Sequence, residues 1–130
     1  MTDPRKAAFS PYLRCLADMM ELRDWSVRID NGAPDNANAM AKVDTAYGRK
    51  LLWLNLSETF LDSSPEEQRQ TLVHELVHAH FASMHHFLCH HLGEGPAFEA
   101  YRLAHEYGVD AIAEGWAKTL PLPGEVKAKE

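Results

Sequence analysis

The spacing of apolar residues changes repeatedly along the chain, and each change marks an element. Between Phe9 and Arg23, residues Leu13, Leu16, Met19, Met20 and Leu22 recur at near-helical intervals, with Pro11 near the start. That pattern predicts an N-terminal helix. From Trp25 to Asp30 apolar and polar residues alternate, as in a half-buried strand. Asn31-Gly32 and the run from Ala33 to Asn36 carry turn chemistry. Two extended runs follow, Ala39 to Thr45 and Lys50 to Leu56, joined around Tyr47, Gly48 and Arg49. So short a glycine-containing connection predicts an antiparallel hairpin. In the second run Leu52, Leu54 and Leu56 share one face, with Leu51, Trp53 and Asn55 on the other.

The period then becomes helical. Ser64, Pro65 and Glu67 form a capping box with proline at the first helical position. The helix they start is expected from Pro65 to about Met84, with Leu72, Val73, Leu76, Val77, Phe81 and Met84 as its apolar contacts. Gly93 to Pro96 ends this region. A last helix is predicted from Ala97 to Leu120, stopped by the Pro121 to Gly124 segment, and Glu125 to Glu130 reads as a polar tail. The order implies one α+β domain over residues 1–124: an N-terminal helix, a small, mostly antiparallel sheet and two long helices.

Composition narrows the function. The chain has 130 residues, enough for one domain with a core of its own, and a net charge of −6. No basic surplus is available to neutralise phosphates, which argues against a nucleic-acid partner. The apolar runs are far too short to span a bilayer, and the first residues lack the apolar stretch of an export signal. Cys15 and Cys89 cannot build a disulfide framework and read as reduced thiols, so a cytoplasmic location is expected. The anomaly is histidine: eight residues, most of them between His74 and His91.

Within that stretch His74, Glu75 and His78 form the pattern H-E-x-x-H. On a helix His74 and His78 differ by about 40° around the axis and about 6 Å along it, so both imidazoles can face one metal ion. Glu75 lies about 100° from His74, beside the ion, where it can accept a proton from water. A third protein ligand is then needed to complete a zinc site. Glu94, Glu99, Glu106, Asp110, Glu114 and the remaining histidines are candidates. Glu94 sits in a glycine turn that holds a ligand poorly. Glu106 and Asp110 lie four apart on one helical face, so one can bind metal while the other orients a ligand imidazole. Ala113 and Ala117 continue that stripe with side chains small enough for close helix approach.

His74-Glu75-x-x-His78 followed by Glu106-x-x-x-Asp110 resembles the gluzincin pattern. The interval from His78 to Glu106 is similar to that of small zincin-like proteins of the ImmA/IrrE and minigluzincin kind, phage-encoded ones included. The resemblance covers roughly Lys50 to Pro121 and is specific at five positions. It implies a zinc metallopeptidase acting on a peptide or protein, with one Zn2+ held by His74, His78 and Glu106. It further implies Glu75 as the general base and Asp110 as hydrogen-bond partner of a ligand histidine, most naturally His74. Strand Leu51 to Leu56 resembles the sheet edge bordering the cleft in such folds. Asp110 stands where many members carry asparagine, which keeps the acceptor, and Gly108 weakens the glutamate helix by about 1 kcal/mol against alanine.

The other histidines have plainer expectations. His80 falls on the far side of the helix from the site, as a packed residue, and His105 points sideways from the ion. In an unbroken helix His85 would lie about 10 Å beyond His78, at the cleft rim. His86, His90 and His91 read as exposed, in a loop that also holds Cys89. Tyr101, Tyr107 and His91 are the available donors for an oxyanion. Trp53 and Trp116 are expected to pack. Two rival functions have distinct signatures: a zinc-containing binding or regulatory protein without catalysis, and a metal-free interaction domain.

Overall fold

The structure, a computed structural model, describes residues 3–30, 32, 34, 39–46 and 48–126. A short helix α1 (Pro4–Ala7) leads into α2 (Ser10–Met19), then strands β1 (Ser26–Ile29), β2 (Ala41–Thr45) and β3 (Leu51–Leu56). Helices α3 (Glu58–Leu61), α4 (Pro65–His80), α5 (Ala82–Leu92) and α6 (Pro96–Ala117) follow, with a closing 3-10 turn at Pro123–Glu125. The class is α+β, as the periodicity implies. Among the turn residues expected after β1, Asn31, Ala33, Asp35 and Asn36 lie outside the described residues, as do Tyr47 of the hairpin and Lys127–Glu130 of the tail.

The sheet is mixed rather than mostly antiparallel, in the order β1-β3-β2. Strand β3 is central, with Leu54 opposite Ile29 in a parallel pair and opposite Val43 in the expected antiparallel hairpin. Leu52, Leu54 and Leu56 are fully buried on one face, as the alternation requires. They meet α2 residues Leu13 and Leu16 and α4 residues Leu72, Val73, Leu76 and Val77 in one core. Each of these large side chains contributes about 1.5–3 kcal/mol of burial. Val126 packs against the same core, so the tail begins later than its polarity suggests.

Two helix boundaries differ from the periodic reading. Helix α2 ends at Met19 because Glu21 adopts φ 63°, turning the chain toward β1. Helix α4 starts as the capping box specifies, with the Ser64 side chain accepting from the Glu67 N–H. It stops at His80, however, where Phe81 (φ −105°, ψ 8°) breaks the helical path and α5 begins. The Phe81 ring then sits edge-on to His105, 5.9 Å between centroids. The histidine-rich segment is therefore a helix, not a loop, and α5 has no buried residue. Gly93 (φ 64°) and Gly95 (φ 139°) reverse the chain into α6, backbone states that a side chain would strain. Helix α6 runs through Gly108 without interruption and lays Val109, Ala113 and Ala117, all buried, against α4. Among the described residues no helix is long and apolar enough to cross a membrane.

Candidate metal centre

Helices α4 and α6 bring three ligand-type side chains to one point. His74 Nε2 and His78 Nε2 lie 3.2 Å apart, and the Glu106 carboxylate oxygens stand 3.6 Å from the first and 3.4 Å from the second. For an ion with Zn–N near 2.0–2.1 Å, tetrahedral ligands sit about 3.3 Å from one another. The donor set therefore fits a tetrahedral cation with one position left for a small molecule. This group can hold a metal ion, and among the described residues it is the one such cluster of three or more.

Both imidazoles are held from behind. His74 Nδ1–H donates to Asp110 Oδ1 at 2.8 Å, the arrangement expected of Asp110. His78 Nδ1 lies 3.1 Å from His105 Nε2. With Nδ1 as donor in each ring, the two Nε2 lone pairs point at the shared centre. His105 was expected to point sideways. It instead orients a ligand, because α6 packs so closely on α4 that the position before Glu106 still reaches His78. Its ring lies against His85 at 5.3 Å and Tyr101 at 5.6 Å. Its adjacency to Glu106 was the available sequence signal. His105→Ala is expected to weaken metal binding about 10–100-fold, with His105→Gln restoring part of it through its amide oxygen. Competition against a chromophoric chelator measures both.

Glu75 turns from the ligands toward the sheet, where its carboxylate accepts from the Val43 N–H. Burial, then the Glu106 carboxylate and more weakly Asp44, push the Glu75 carboxyl up to about 8. Burial and the neighbouring imidazoles hold His78 down to about 3, so it stays neutral and able to ligate. The strand beside Glu75 is β2, not β3 as expected: β3 is paired on both sides, which leaves β2 as the edge facing α4.

The remaining candidates separate cleanly. Glu99 is ion-paired with Arg102 at 3.0 Å, and Glu94 and Glu114 are exposed. His85 lines the cleft, as a rim histidine, with its Nδ1 2.9 Å from the Tyr101 hydroxyl and its Nε2 3.4 Å from Cys89 Sγ. Tyr101 is therefore engaged with His85, Tyr107 is 72% exposed, and His91 lies tilted against Phe87 at 4.2 Å, in a depression separate from the one at the centre. His80 is exposed yet anchored, its ring nitrogens 3.0 Å from the Leu76 carbonyl and 2.7 Å from that of Met20, with Trp116 against it. No protein-family model, curated protein or solved structure matches this chain significantly.

Proposed function

We propose that the chain is a small zinc-dependent metallopeptidase of gluzincin type. The observation that carries this reading is the convergence of His74, His78 and Glu106 with a partly buried carboxylate, Glu75, on the adjoining wall of one cleft. A bound zinc ion supplies Lewis acidity toward water and a peptide carbonyl. Glu75 takes one proton from the attacking water at its carboxylate and delivers it to the leaving nitrogen as the C–N bond breaks. Asp110 and His105 keep the two ligand rings in register, so no reorientation is required during turnover. Thiolate-free N and O ligands admit manganese, iron or cobalt as well, and zinc is chosen on the tetrahedral spacing.

Chelation is the direct test. A chelator is expected to abolish hydrolysis of a mixed peptide library, and one equivalent of zinc per chain to restore it. Zinc bound stoichiometrically without any cleavage would favour the binding or regulatory reading instead. Absence of stoichiometric metal after zinc supplementation would sink both.

A further inference from the structure

Helix α5 carries a second group of reactive side chains, apart from the three metal-type ligands. Cys89 Sγ lies 3.4 Å from His85 Nε2, and His85 Nδ1 lies 2.9 Å from the Tyr101 hydroxyl on α6. The cysteine and the histidine are four residues apart and so share one face of the helix. The pairing depends on α5 being helical, which a loop over this segment would not supply. It brings a thiol within hydrogen-bond reach of a base, and the base is itself held by a third group. That succession of nucleophile, base and orienting partner is the one that activates weak nucleophiles.

Burial, His105 and His86 hold the His85 imidazole below its ordinary value, so near pH 7 it is neutral and has one lone pair to offer. With the thiol donating to Nε2, Nδ1 carries the ring proton and donates it to the Tyr101 oxygen. The same two contacts favour the imidazolium that forms when the thiol gives up its proton. Nδ1–H still donates to Tyr101, and Nε2–H then donates to the thiolate. No residue of α5 is fully buried and Cys89 is partly exposed, so a small reagent can reach the sulfur. Cys15 supplies the contrast. It is also partly exposed, but its sulfur lies 3.9 Å from the Met19 thioether, which takes no proton. Exposure is therefore not what separates the two thiols.

We propose that Cys89, His85 and Tyr101 form a nucleophilic thiol site, at which Cys89 is modified by small disulfides. The Cys89 S–H proton passes to His85 Nε2 as the sulfur attacks one sulfur of the incoming disulfide. The S–S bond of the reagent breaks, a mixed disulfide to Cys89 forms, and the departing thiolate takes the proton back from His85. Cys89 is thereby oxidised, and the released half of the reagent is reduced to a free thiol. The site stands independently of the metal centre and of peptide hydrolysis.

The experiment treats the folded chain at pH 7 with 4,4′-dithiodipyridine and follows release of the coloured thiol, with Cys15→Ala and Cys89→Ala assigning each phase. An ordinary thiol is only a few per cent ionised at this pH, so a base in contact with it has about one decade of rate to gain. Cys89 is therefore expected to react about tenfold faster than Cys15 in the native protein, and at nearly the same rate in denaturant. His85→Gln keeps a polar side chain that cannot take the proton, and it should bring Cys89 down to the rate of Cys15. Tyr101→Phe should give a rate between the two. That variant tests the same base from the other helix, so the site stays open to refutation even where His85→Gln fails to fold. Cys89 reacting no faster than Cys15 in the native chain, or undiminished in folded His85→Gln, overturns the site. A rate unchanged by Tyr101→Phe overturns the three-residue assembly.

Discussion

Glu75→Gln is expected to lower peptide hydrolysis about 100- to 10,000-fold while one zinc ion per chain remains bound. Glutamine keeps the shape of the side chain and can still accept from the Val43 N–H, but it cannot take a proton from water. The same substitution has a second, opposite consequence for the metal-free protein. The Glu75 carboxyl sits at about 8 in the fold against an ordinary 4.5. Between those values the unfolded chain has released its proton and the folded chain still holds it. Folding stability on this account falls as pH rises from about 4.5 to about 8. Glutamine removes that loss, so metal-free Glu75→Gln should exceed the parent at pH 8 by on the order of 2–4 kcal/mol and match it near pH 4.5. His78 acts in the other direction: its lowered value, about 3, costs stability as pH falls below 6.5, equally in both proteins. Thermal unfolding of the two chelated proteins across this range measures the difference. Equal profiles would place Glu75 in water rather than against the sheet. Retained hydrolysis in zinc-loaded Glu75→Gln would remove it as the base.

Glu106→Ala should abolish stoichiometric metal, and Glu99→Ala should leave it untouched. Both glutamates lie on α6, one heptad apart and on nearly the same face, so helical position alone separates them poorly. The packing separates them fully. Glu106 reaches both imidazoles, whereas Glu99 is turned to Arg102. Loss of a direct ligand should exceed the about 10–100-fold cost of losing a supporting hydrogen bond, which His105→Ala calibrates in the same protein. Elemental mass spectrometry on the purified variants gives the stoichiometry. The rise in Tm on adding zinc gives an independent reading, since a ligand that binds only the folded state stabilises it by mass action. A zinc-dependent rise that survives in Glu106→Ala but disappears in Glu99→Ala would exchange their roles.

Much of this was legible in the residues because it is local. The capping box at Ser64, the alternation of Leu52, Leu54 and Leu56, and the four-residue interval between His74 and His78 each act over one or two turns. Their geometry follows from the backbone period alone. The pairing of Asp110 with His74 is nearly local too: once Glu106 is near the ligands, the residue one turn on faces the same way. The helix break at Phe81 was not legible. Periodicity continues through it toward Met84, and no proline or glycine marks the spot.

What remained for the tertiary structure was everything that depends on which surfaces meet. Local residue patterns define an α+β chain, a helix bearing H-E-x-x-H, and a short set of acidic candidates for a third ligand. The close packing of Ala113 and Ala117 on α4 decided that Glu106 completes the cluster and that His105 supports His78. The order of strands decided that β2, not β3, borders the cleft, because strand pairing is a contest among partners distant in sequence. Spacing sets which way a side chain points on its own element, and only packing sets what stands opposite it.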